Sequence, residues 1–189
     1  MISYQEEELN TVRSTAVLGL TISENLKWDS HIGNVTQKAR GRINILEKLI
    51  TNGFDDAFIL EVYFKEIRSV LEYGAVLFHH ALTIELSDKI EGIQRLVLRL
   101  LATANNLKLS YMEACILFSV EPLILRRDSL CERFVKRIPR NEVHADLFKK
   151  RNNCYNLHDK RKYQEYKSYH RRHFDSPLVA LTRLANKVL

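Results

Sequence analysis

The chain has 189 residues, 46% hydrophobic and 28% charged, a balance that excludes a disordered or low-complexity protein. Six glycines and three prolines are too few breakers for a many-stranded sandwich or barrel, so long helices are expected. Three cysteines with no Cys-x-x-Cys pair exclude a disulfide framework and a zinc ribbon, and the net charge of +6 suits an anionic partner.

Residues 1–12 read as a loose acidic lead-in. Glu6, Glu7 and Glu8 directly after Met1 argue against a secretory signal. Residues 15–22, TAVLGLTI, are short, apolar and partly β-branched and predict one strand. Nothing else in the chain reads as its partner, so an orphan strand with an open edge is expected. Residues 29–50 predict a helix. Asp29 or Ser30 can cap it, and Ile32, Val35, Ala39, Ile43, Leu46 and Ile50 recur at helical spacing before the Asn52-Gly53 stop. A second helix opens at Asp55 and carries Phe58, Val62 and Ile67 towards Leu71. Tyr73-Gly74 interrupts it before a short apolar piece at 75–78.

Thr83 opens a third helix, with Leu86, Ile90, Ile93, Val97, Leu100 and Leu101 on one face. Ser110 and Glu113 have capping-box spacing. Pro122 suits the first turn of the next helix, which carries Leu125, Leu130, Phe134 and Ile138 and stops at Pro139. A shorter helix is expected at 143–148. Ser176-Pro177 opens a last one with Leu178, Leu181, Leu184 and Val188. Apolar runs are broken by Lys or Arg within a few residues, so no membrane span is expected, and an intracellular protein, cytoplasmic or nuclear, is. The expected architecture is mainly α. A remnant at 1–28 holds the strand, 29–140 form a helical bundle, and 141–189 form a basic C-terminal extension that is helical.

The charge is local. Residues 149–173 hold Lys149, Lys150, Arg151, Lys160, Arg161, Lys162, Lys167, Arg171 and Arg172 against Asp159 and Glu165, which leaves the body near neutral. Tyr155, Tyr163, Tyr166 and Tyr169 are interspersed. Such a stripe can follow a phosphate backbone, although basic runs also serve as solvated faces. Its one large aliphatic is Leu157, so the stretch is expected to be the least stable part of the chain and the main source of nucleic-acid affinity.

Several ordered stretches resemble the C-terminal region of reverse transcriptases from non-LTR retrotransposons of the jockey type. VLGLTI at 17–22 is similar to the family's LG-containing strand at the palm edge, and LKWDSHI at 26–32 to its L-x-W-x-x-H-I. VYFKEIRSVLEYGAVLF at 62–78 resembles Y-x-x-x-I-x-P-x-L-x-Y-x-x-x-x-W, with Val70 and Ser69 where the family has Pro and Phe78 in place of Trp. IEGIQRLVLRLL at 90–101 resembles L-E-x-I-Q-x-x-x-x-R. LSYMEACILFSVEPLILRR at 109–127 resembles a pattern that opens L-S-Y-x-E and closes R-R. FDSPLVALTRLAN at 174–186 echoes a terminal S-x-x-P…N. The resemblance implies a palm edge, a thumb-like helical bundle and an extension, without the catalytic palm.

Polymerisation needs carboxylates that hold two metal ions. Asp55-Asp56 echo the family's Tyr/Phe-x-Asp-Asp but follow the LG strand instead of preceding it, and they read better as a helix cap and first-turn charge. Cys154 with His158, and His170 with His173, could each share a helix face, but their separation fits no zinc finger. Cys115 reads as core, and Cys131 has no His neighbour in sequence. No nucleophile elbow, P-loop or dinucleotide fingerprint is present. No catalytic residue, metal or cofactor is therefore assigned.

The expected function is that of a non-catalytic polymerase fragment that binds a template-primer duplex or RNA weakly and without sequence preference. The resemblance to a thumb adds Lys38, Arg40 and Arg42 of the first helix to the basic stretch. A separate palm is one further partner. The alternative is a protein-interaction or self-associating module that uses the open strand edge.

Overall fold

Local capping chemistry sets where the helices of this chain begin and end. The computed structural model describes residues 12–140, 146–151, 161–168 and 175–189, with the backbone alone at 3–4 and 7–8. β1 (Ser3–Tyr4) and β2 (Glu7–Glu8) form a short antiparallel pair. β3 (Ser14–Val17) and β4 (Leu20–Ser23) form a second, in register from Ser14↔Ser23 to Val17↔Leu20. The stretch expected to be one orphan strand is therefore a hairpin that pairs with itself. The reason lies in Leu18-Gly19. Both residues sit at positive φ, 48° and 81°, as a two-residue turn matched to strand twist requires. The apolar continuity of VLGLTI hid that turn.

Helices make up most of the rest, so the mainly-α expectation holds. α1 spans Asp29–Thr51 and ends where Asn52 Nδ2 donates to the Lys48 carbonyl at 2.7 Å. α2 (Asp56–Val62) is capped by Asp55, whose carboxylate accepts from the Phe58 N–H at 2.7 Å. It runs on as a π-helical stretch, Tyr63–Arg68, and then as α3 (Ser69–Glu72). The buried side chains of this rod are Ile59, Tyr63, Ile67 and Leu71. Phe58, expected on the inner face, is exposed and stacks on Phe54 at 5.2 Å. At 3.6 residues per turn a strict four-residue stripe drifts around an α-helix. The wider π turn cancels that drift.

α4 (Ala75–Phe78) leads through a 3-10 turn, His79–Ala81, to α5 (Ile84–Ala104), whose cap is the Thr83 hydroxyl. α6 (Tyr111–Leu117) carries the full capping box of Ser110 and Glu113. α7 (Leu123–Arg137) ends in a 3-10 turn, Ile138–Arg140. α8 (Pro177–Val188) opens with Pro177, as expected. Of the helix expected at 143–148, residues 143–145 lie outside the described residues, and Asp146 and Leu147 are helical.

Two cores result. The larger joins α1, the α2–α3 rod, α5 and α6 around Ile43, Tyr63, Leu71, Phe78, Ile90 and Leu98. The smaller joins α7 and α8 with Phe148 and Tyr163 around Cys131, Val135 and Leu181. The bundle thus shares a core with the C-terminal extension across residue 140. Among the described residues no helix is long and apolar enough to cross a membrane.

The hairpin seats on the bundle through two glycines. The Tyr73 hydroxyl donates to the Leu18 carbonyl at 2.8 Å, with Gly19 against its ring. Gly74 sits at φ +70°, and a Cβ there would lie 2.7 Å from Leu20 Cδ2. Gly74→Ala is therefore expected to cost about 1–3 kcal/mol, from left-handed strain plus overpacking. A fall in the urea midpoint at unchanged slope is the readout.

Candidate nucleic-acid interface

The residues that carry the sequence resemblance form a buried polar network before they form any surface. Glu91 and Gln94 lie inside, on α5. The Glu91 carboxylate accepts from the N–H groups of Leu123 at 3.0 Å and Ile124 at 3.1 Å, so it caps α7 from another helix. Such a cap meets both the unpaired amides and the positive end of the helix. Tyr111 donates to the same carboxylate. Gln94 accepts from the Tyr63 hydroxyl at 2.7 Å and donates to Tyr111 and to the Glu121 carbonyl. Burial pushes both phenols well above their ordinary value.

The Arg126-Arg127 pair divides in two. Arg126 grips Glu72 of α3 through Nε and a second bond of 3.0 Å. Arg127 is fully buried and donates to Ser87 at 2.7 Å and to His79 Nδ1 at 3.3 Å. Neither arginine offers its charge to a ligand.

On α1 the three expected cations do not share one surface. Lys38 and Arg42, four apart, lie on the side facing the α2–α3 rod, whereas Arg40 points elsewhere. Arg42 is engaged with Glu66, by an ion pair of 3.3 Å and a bond to its carbonyl. Lys38 is exposed on the rim of a cleft of about 470 Å³ between the hairpin, α1 and α3, with Thr21, His31, Asn34, Val70 and Tyr73 among its walls. The floor is His31, whose Nδ1 accepts from the Thr21 N–H at 3.3 Å and whose ring packs on Trp28 and Phe78. Burial lowers its pKa. Trp28 is thus an anchor of the bundle.

The described part of the basic stretch is extended at 149–151 and 161–168, not helical as expected. Lys150 bridges Tyr163 in an antiparallel ribbon closed by Arg151 N–H to the Lys162 carbonyl, 3.0 Å, and Gln164 N–H to the Lys149 carbonyl, 2.9 Å. In this register Lys149, Arg151 and Lys162 project to one face, opposite to Tyr163. Tyr163 is 1% exposed and packs edge-on against Phe148 at 6.3 Å. Asn186 of α8 pins the ribbon, since its Oδ1 accepts from the Lys162 and Tyr163 N–H groups and its Nδ2 donates to the Tyr163 carbonyl. The described part of the stretch is packed on the body. Its apolar anchor is Tyr163, seated on Phe148 just before the stretch, which a count of aliphatics passes over. Lys149, Lys150, Lys162 and Lys167 are exposed, and Arg161 pairs with Glu165 at 3.5 Å. Lys160, Arg171 and Arg172 lie outside the described residues, as do Cys154, His158, His170 and His173.

Sequence reasoning missed Asn186 as the pin, although it occupies the Asn of the terminal S-x-x-P…N echo. Asp55 serves as a helix cap, and Asp56 accepts from Asn105 at 2.9 Å. Burial raises the Cys115 thiol and pushes that of Cys131 up to about 11, which leaves both as poor nucleophiles at neutral pH. Among the described residues no three His, Cys, Asp or Glu side chains converge as metal ligands. Comparison with protein-family models, curated proteins and solved structures finds no match for this chain.

Proposed function

We propose that this chain is a non-catalytic C-terminal piece of a non-LTR, jockey-type reverse transcriptase, and that it holds nucleic acid by the sugar–phosphate backbone, weakly and without sequence preference. The observation that carries this reading is the pinned ribbon, which fixes Lys149, Arg151 and Lys162 on one face. A cation row on a fixed backbone meets successive phosphates at little ordering cost, and counterion release then drives association. The ancestry rests on the ordered motifs. Lys38, exposed on the other core, is a second, separate contact for a long duplex.

Titration of duplex and single-stranded nucleic acid at two salt concentrations tests the reading. Affinity should fall as salt rises. The combined Lys149→Ala and Lys162→Ala substitutions should weaken binding equally for all sequences and flatten the salt slope by about 2. Thermal stability should barely change, because exposed charges contribute little to folding. Affinity indifferent to salt would refute the mode, and absence of binding at low salt would end the activity while leaving the ancestry standing.

A second reading is self-association through the hairpin. Leu18 at its tip is 86% exposed and held at positive φ, and all four β3 residues are exposed. A strained, exposed apolar residue beside an open strand edge invites strand addition. Sizing the protein over a range of concentrations separates a monomer from this dimer.

A further inference from the structure

The seam between the two cores is the segment 75–81, against which both α7 and α8 pack. Two adjacent imidazoles fill it, His79 and His80, with ring centroids 5.0 Å apart. His79 faces α7. Its Nδ1 accepts from Arg127 Nε, so its proton sits on Nε2, which donates to Asp128 Oδ1 at 2.7 Å. Both ring nitrogens are therefore committed, and only the neutral ring satisfies both. His80 is partly buried, and its Nε2 has no hydrogen-bond partner.

We propose that His80, held in the seam beside His79, is an acid-sensitive latch that seats α8, and the ribbon pinned to it, on the rest of the molecule. A proton on His80 leaves a charge in the seam while Nε2 has no hydrogen-bond partner. From α7, Arg127 lies against His79, and Asp128 favours a proton on His80. From the lead into α8, Asp175 favours it. α5 contributes the Ser87 hydroxyl and, at longer range, the Glu91 carboxylate, both acting on Arg127.

Burial, and after it the neighbouring His79, hold the His80 pKa below its ordinary value. A base with a lowered folded pKa adds stability that is complete above the unfolded value, about 6.5, and is lost as pH falls through the folded one. His31 has the same sign but lies in the larger core, beneath the hairpin. The two effects are separable by position along the chain.

Hydrogen exchange of the full chain, corrected for intrinsic rates, is the measurement, at about pH 7.5 and about pH 5.5. Amides of α8 should gain severalfold in exchange at the lower pH relative to those of α5. The double variant His79→Gln, His80→Gln should lose that difference, because glutamine can accept from Arg127 and donate to Asp128 but does not titrate. An equal gain in the double variant, a uniform gain in α5 and α8, or no gain at all would overturn the proposal. Should the double variant not fold, Asp128→Asn serves instead. It removes a carboxylate that favours the imidazolium, so the gain in α8 should become larger, and an unchanged or smaller gain would be equally fatal.

Discussion

Glu91→Ala is expected to cost the fold about 3–5 kcal/mol, because it removes a charge from a buried, fully hydrogen-bonded arrangement. The Leu123 and Ile124 amides lose their acceptor together, and the Tyr111 hydroxyl loses its own. Each buried group left unpaired carries a penalty of about 1–3 kcal/mol. The buried Arg127 also loses a favourable charge. Glu91→Gln keeps the volume and one carbonyl oxygen, so its cost should be roughly half, about 1–2 kcal/mol. Chemical denaturation of the two variants side by side gives both numbers. Equal effects would mean that the carboxylate carries the whole cost and side-chain volume none of it, whereas a Gln variant as stable as the native chain would mean that the charge is dispensable.

Tyr163→Ala should be comparably severe, about 3–5 kcal/mol for a buried aromatic residue, but local. Loss of the ring opens the smaller core between Phe148 and Leu181, so α8 should lose exchange protection while α5 keeps it. Binding should fall with it, although no positive charge has been removed, because the ribbon then pays to order itself on the ligand. Tyr163→Phe is the control. The hydroxyl is buried and finds no hydrogen-bond partner, so its removal should leave stability unchanged or slightly higher. A matching loss in Tyr163→Phe would show that the oxygen, not the ring, holds the ribbon.

The helices were legible wherever sequence chemistry is local. Asp55, Thr83, Ser110 and Pro177 mark starts that the structure keeps. What escaped was set by tertiary partners. Of the α7 face assigned to Leu125, Leu130, Phe134 and Ile138, Ile138 is buried and Leu130 and Phe134 partly so, but Leu125 is exposed, and the buried stripe also runs through Leu123, Arg127, Cys131 and Val135. An arginine and a cysteine on that stripe disguise it, since the rule that places charges outside does not foresee the seat offered by His79 and Ser87. Glu91 and Gln94 were invisible as core for the same reason, because their partners are tyrosine hydroxyls and backbone groups far along the chain. The ribbon was read as helix because nine positive charges carry no period. Its register is fixed by Asn186, two elements further on.

The π-helical stretch at Tyr63–Arg68 also bears on how this chain is to be aligned with others. A protein with an ordinary α-helix in its place would reach the Leu71 position one residue sooner. A single-residue gap between Ile59 and Leu71 is then a change of helical pitch and not a trimmed loop. Closing such a gap by eye would turn Glu72 away from the Arg126 fork it meets here, and every later match would slip with it.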